Sequence, residues 1–152
     1  FGGANLPLDN PLQVPAHRYS GRVLASGKEA VRTTPKFERG RLLGDVVFVS
    51  GTAAIKGEDS EFSEDTRVQA LGAIDVVEHL VAPSNISPDC SAFRFGYLRV
   101  YVRRPQDLEP VREMFISHFK DTPIHFLQAD ICRPELLLEL EGVGRALPFL
   151  KP

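Results

Sequence analysis

Residues 125–142 read HFLQADICRPELLLELEG, a largely apolar stretch in which Glu139 and Glu141 alternate with Leu138 and Leu140. Successive side chains of an extended chain point to opposite sides, so both acids share one face, while Leu136, Leu138 and Leu140 share the other. The stretch therefore reads as two strands broken near Arg133 and Pro134, the second turning leucines to a core and acids away from it.

Upstream, FGYLRVYVRR at 95–104 has the same period of two. It sets Leu98, Val100 and Val102 on one face and Arg99, Tyr101 and Arg103 on the other. Between these strands, QDLEPVREMFISHF at 106–119 spaces Leu108, Val111, Phe115 and Phe119 as a helical stripe, with Pro110 tolerated in the first turn. Further upstream, SEDTRVQALGAIDVVEHLVA at 63–82 predicts a helix capped by Ser63 and stopped by Pro83. Its stripe is Val68, Leu71, Ile74, Val77 and Val81, with Glu64 and Asp65 at the positive end of the dipole. RLLGDVVFVSGTAAI at 41–55 predicts a hairpin turning at Gly44-Asp45, with Val46 to Ser50 as a buried strand and Gly51 as its break. Pro7, Pro11, Pro15 and Pro35 make the first 36 residues read as an arm.

The predicted organisation is an arm at 1–36, one domain at 37–148 and a tail at 149–152. The order β-β-(β)-α-β-α-β-β makes the domain α+β, a mixed sheet with two helices on one face. Its other face, bearing Arg99, Tyr101, Arg103, Glu139 and Glu141, is left for water or for another subunit.

The chain has 152 residues, 43% hydrophobic and 25% charged, which fits one core. A net charge of -2, with basic residues dispersed, supplies no footprint for a nucleic-acid backbone or an anionic membrane. No apolar run reaches the roughly 18 residues of a spanning helix, and the first residues lack the basic-then-apolar order expected of a signal peptide. Cys90 and Cys132 form neither a CxxC pair nor a disulfide framework, as in a reducing cytoplasm. The expectation is a cytoplasmic protein without nucleic-acid or membrane partners. His17, His79, His118 and His125 lack metal-ligand spacing, so no metal is expected.

Three groups carry candidate chemistry, each with an ordinary alternative. Glu139 and Glu141 are either acids on a solvated strand face or, if partly dried, carboxyls with a pKa raised enough for general acid work. Arg99 and Arg103 flanking Tyr101 either pair with those acids or grip a small carboxylate through guanidinium forks. Cys132 reads more readily as an inert thiol than as a nucleophile, His125 being the only base close to it in the chain. Gly51 in SGTAAIKG is a strand break, since no phosphate-cradling motif surrounds it.

GDVVFVSGTAAI, LRVYVRRPQDLEPVREMF and TPIHFLQADICRPELLLELEGVGRA, from Arg41 to Ala146, resemble the RidA/YjgF superfamily. That resemblance implies a chorismate-mutase-like α+β fold, a homotrimer, and small-molecule sites in clefts between subunits. Its deaminases carry an arginine in a P-x-R motif that binds the substrate carboxylate; here TPIHF puts His125 at that position. NPLQVPAHRY, SGTAAIKGE and FLQADICRPELLLELEG resemble the chorismatase group more specifically, in the half of those proteins that looks like this superfamily. Chorismatases release pyruvate from chorismate, leaving a dihydroxycyclohexadiene acid or a hydroxybenzoate according to subtype. The resemblance implies Glu139 as the acid that protonates the enolpyruvyl group and Arg103 as a carboxylate binder. It puts Cys132, Ala53 and Ala54 where subtypes differ. No cofactor is implied. The expected function is thus cleavage of chorismate or a similar cyclic enol ether; the alternatives are enamine or imine deamination and a non-catalytic carboxylate-binding subunit.

Overall fold

The computed structural model describes residues 3–21, 34–61 and 64–149. Eight strands and three helices follow in the order β1 (Asn5–Leu8), β2 (Gly40–Leu43), β3 (Val46–Thr52), β4 (Ile55–Lys56), β5 (Asp59–Ser60), α1 (Thr66–Leu80), α2 (Pro83–Ile86), β6 (Cys90–Val102), α3 (Leu108–His118), β7 (Ile124–Gln128) and β8 (Leu138–Pro148). Six of the strands form one sheet in the order β1-β2-β3-β8-β6-β7. Only β6 and β7 pair in parallel, across the crossover through α3, so the sheet is mixed and the fold α+β.

The predicted hairpin forms between β2 and β3, and Gly44 supplies the positive φ of 60° that its turn needs. The arm contributes more structure than its prolines advertise. Asn5–Leu8 pairs with β2 as an edge strand, where Pro7 costs no inner ladder bond. A single 3-10 turn follows at Ala16–Arg18.

Both long helices lie on the sheet face carrying Leu98, Val100, Val102, Leu138 and Leu140, all at 1% exposure or less. The stripe of α1 differs from the one its sequence predicts. Ala70, Ala73, Ile74, Val77 and Leu80 enter the core, while Val68 and Leu71 are exposed. Small residues let the helix axis approach the sheet, so its contact face centres on the alanines rather than on the bulkier side chains. The N-cap is Asp65, which accepts from the Arg67 amide at 2.8 Å; Ser63 lies outside the described residues. Pro83, expected to stop the helix, also starts the short α2 from its first position. In α3, Val111 and Phe115 are buried, and Leu108 and Phe119 pack against the same core. Of the predicted tail, residues 150–152 lie outside the described ones.

Leu136 is a correction. It precedes β8 and belongs to a separate apolar cluster with Ala53, Ile55 and Ile131, rather than to the leucine row of the strand. The irregular segment 129–137 bends before β8 begins, breaking the alternation on which the two-strand reading relied. Gln69, fully buried on α1, fixes that bend by donating to the Glu135 carbonyl and accepting from the Leu137 amide.

Candidate active site

Strand β8 is regular where the acids sit. Glu139 stands opposite Tyr101 and Glu141 opposite Arg99, so all four side chains leave the sheet on the face away from the helices. Arg99 Nε lies 2.9 Å from Glu141 Oε1, and the Tyr101 hydroxyl donates to the same oxygen at 2.8 Å. Glu139 is joined to no described residue by a hydrogen bond or ion pair. Burial, and secondarily the charge of Glu141, raises its pKa above the ordinary carboxylate value.

Glu139 forms one wall of a cavity of about 330 Å³, a size suited to a small ligand. Tyr19, Phe37, Arg39, Gly51, Cys132 and Arg133 are among its other walls. Gly51 makes the site possible. A Cβ there would lie 2.5 Å from Glu139 Oε1. The register between β3 and β8 shifts between Val49 and Thr52, and this irregularity brings the bare Gly51 backbone under the carboxylate.

Arg39 was not foreseen from sequence. It is 4% exposed, donates to the Val14 carbonyl at 3.0 Å and to the Tyr19 hydroxyl, and leaves its buried Nε without a partner. No described carboxylate pairs with it. A buried guanidinium with an unused donor is costly until an anion arrives, and then binds it strongly. Its guanidinium carbon stands 5.5 Å from the centre of the Tyr19 ring, and that of Arg133 stands 5.3 Å from the same centre. Arg133 is tethered to the Glu58 carbonyl and the Ser60 hydroxyl, both at 2.9 Å. The arm is thereby locked to the β4-β5 hairpin and to the loop before β8. The only local signal for Arg39 was a cation beside Phe37 at the entrance to an apolar strand; its burial comes from the folded arm.

Of the residues singled out in the sequence, Glu139, Cys132 and Ala53 meet at this cavity. Cys132 lines the cavity; the residue as a whole is exposed but its thiol is half-buried, and that burial, followed by the charge of Glu139, pushes the thiol pKa up. Ala54 is buried beneath the site, its methyl against Gly72 of α1. Arg103 donates to the carbonyls of Ile131 and Arg133 at 2.7 and 2.9 Å, which holds the loop bearing Cys132. Tyr101 and Arg99 are engaged by Glu141. His125 lies away from the cavity, on β7, its Nδ1 2.8 Å from the Tyr97 hydroxyl. Among the described residues no group of acids, histidines and cysteines is arranged to hold a metal ion, and no described helix is long and apolar enough to cross a membrane.

No family model matches the chain. A 3-hydroxybenzoate synthase from Streptomyces hygroscopicus is 34% identical over 155 residues, which cover 93% of this chain and 44% of that protein. A chorismatase from Streptomyces rapamycinicus is 29% identical over the same shares. The chain is a relative of the chorismatases. It spans less than half the length of the relatives it matches. A crystal structure of a chorismatase superposes with a TM-score of 0.76 at 28% identity, covering 93% of this chain and 44% of that one. For the fold alone, a protein described as a putative endoribonuclease L-PSP from Entamoeba histolytica superposes with a TM-score of 0.66 at 12% identity, over 94% of this chorismatase relative and 99% of its own length. The architecture is therefore that of the RidA/YjgF proteins as well as of the chorismatases.

Proposed function

We propose that this site cleaves the enolpyruvyl ether of chorismate, or of a similar cyclic carboxylate, and releases pyruvate. The observation that carries the reading is Glu139, an unpaired and partly buried carboxyl at the wall of a cavity that also presents Arg39 and Arg133. An enol ether is cleaved by placing a proton on its terminal methylene carbon. The ether oxygen stabilises the cation that results, water adds to the carbon bearing it, and the adduct collapses with rupture of a carbon-oxygen bond to give pyruvate and the ring product. The first step needs a carboxyl that holds its proton more tightly than an ordinary one, and desolvation shifts Glu139 in that direction. The arginines offset the charge of a carboxylate substrate and orient it.

In this reading Cys132 acts as a protonated wall residue beside the ring, since its raised pKa disfavours the thiolate. Arg103 fixes the Cys132 loop through one nitrogen, while its buried Nε, like that of Arg39, is left without a partner and stays available to a carboxylate. The P-x-R chemistry of the deaminases has no counterpart in the cavity, because His125 stands elsewhere with Tyr97. We further propose that copies of the chain associate through the outer sheet face, where Leu43, Phe48 and Leu127 are exposed among the charged residues.

The test is incubation of the purified chain with chorismate and a pyruvate assay, alongside Glu139→Gln. The reading expects pyruvate from the parent and none above background from the variant. A folded parent that raises its melting temperature with chorismate but yields no pyruvate is instead a carboxylate-binding subunit.

A further inference from the structure

Glu141 does not line the cavity, yet it shares the outer strand face with Glu139. Two residues of β6 converge on one of its oxygens: the Arg99 guanidinium at 2.9 Å and the Tyr101 hydroxyl at 2.8 Å. The Tyr101 bond runs diagonally across the ladder, since the residue opposite Tyr101 is Glu139. A hydroxyl that reaches past its direct neighbour leaves that neighbour without a donor. The same bond, with that of Arg99, fixes the position of the Glu141 carboxyl on the strand face. Residues two apart on a strand lie about 7 Å from each other on one face, close enough for the fixed charge to act on Glu139.

We propose that Glu141, clamped by Arg99 and Tyr101, is a positioning residue that keeps the proton on Glu139 until it is transferred. The proposal rests on Glu139 being the acid of the site and adds the group that sets its proton affinity. The other charged and titratable groups around Glu139 are accounted for. From β6, Arg103 is committed to the carbonyls of the Cys132 loop. From that loop come the Cys132 thiol and Arg133, and from the arm side Arg39 and Tyr19. On β7, His125 stands beside Arg99 but is bonded to Tyr97. The cations among these favour ionised Glu139, so burial and the Glu141 charge oppose them. Burial and the Glu141 charge thus push the Glu139 pKa up against the pull of the cavity's cations.

Two substitutions move the balance in opposite directions. Glu141→Gln keeps shape and removes the charge; Arg99→Gln leaves the charge and removes its neutralising partner. The titration of Glu139 is read by carbon NMR on protein labelled at the glutamate carboxyls, the resonance being identified by its loss in Glu139→Gln. No substrate is required, so the result stands whether or not chorismate is turned over. The expected shift is down by about half a pH unit or more in Glu141→Gln, given two charges roughly 7 Å apart in a partly wet site, and up in Arg99→Gln. With a substrate in hand, the alkaline fall of kcat/KM moves the same two ways while the acid-side plateau is kept. A Glu139 titration unchanged in both variants, or shifted in the same direction by both, overturns the proposal. So does a lowered plateau with an unmoved alkaline limb, which is what a merely structural Glu141 would give.

Discussion

Tyr101 stands directly opposite Glu139 in the pairing of β6 with β8, yet its hydroxyl donates to Glu141, 2.8 Å away. One acid of the pair thereby takes two donors on a single oxygen, and the other takes none from the described residues. The tyrosine and Arg99 reach one of two otherwise similar glutamates, and the other, partly buried, has its pKa raised.

The bare acid should cost the fold something. Its pKa is raised in the native state, so the native carboxyl is harder to ionise than the unfolded one. The penalty is absent on the acid side of the ordinary carboxylate range, grows as pH rises through the window between the unfolded and folded values, and is complete above the folded value. Glu139→Gln therefore raises the melting temperature near neutral pH, and the gain disappears on acidification. Thermal melts of both proteins across that range check the sign.

Catalysis should move the other way. Loss of a general acid costs about 10²–10⁴-fold in rate, so Glu139→Gln lowers kcat by that order while substrate analogues still bind. Steady-state kinetics with a parallel binding titration separate the two.

Arg39→Met keeps the apolar stem of a buried side chain and removes its donors. A hydrogen bond to a charged group contributes about 1.5–3 kcal/mol, so benzoate-like carboxylates should bind on the order of 10- to 100-fold more weakly. The reading is the dissociation constant from calorimetry, with Arg103→Met as the contrast. Arg103 does not line the cavity and holds two backbone carbonyls of the loop, so its loss should lower stability more than affinity, whereas Arg39→Met, which frees the Val14 carbonyl and Tyr19, should lower both.

Gly51→Ala places a methyl carbon 2.5 Å from Glu139 Oε1. The carboxylate is the end of a flexible side chain and swings away, so the fold should survive with a small loss of stability. Activity should fall with little change in the melting temperature, a combination measured by pairing the pyruvate assay with a thermal melt.

These variants also show what the sequence disclosed and what it withheld. The parity of Glu139 and Glu141 against Leu138 and Leu140, and of Arg99 and Tyr101 against Leu98 and Val100, follows from period two alone, and the structure keeps it across the ladder. That parity predicts which side chains share a face, but not which of them bond. Arg39 and Tyr19 were invisible as site residues because their positions depend on an arm that folds back over 20 residues of sequence to meet the sheet. Leu136 and the exposed Val68 and Leu71 escaped for a related reason. Periodicity assumes an unbroken element and a uniform approach distance, and here a bend at 129–137 and a row of alanines on α1 set the geometry. RidA/YjgF architecture, by contrast, was legible from the order of strand and helix signals together with three stretches of family-like sequence.

The outer sheet face carries Phe48 and Leu127 at 48% and 41% exposure amid its ion pairs. If copies join through it, Phe48→Glu should dissociate them without unfolding the monomer, whose core lies on the opposite face. Sedimentation velocity of the parent is expected to show a trimer, and of the variant a monomer. A parent that stays monomeric at micromolar concentration removes this part of the account.

The central claim is that Glu139 delivers a proton to the terminal carbon of an enol ether, and pyruvate formed in heavy water tests it most directly. The chain is incubated with chorismate in deuterium oxide, and pyruvate is reduced to lactate as it appears, to prevent exchange, before its mass is measured. The account predicts one deuterium in the methyl group of the product from the parent protein and no product above background from Glu139→Gln. Pyruvate without deuterium, undiminished release from Glu139→Gln, or no pyruvate at all from a folded parent would contradict it.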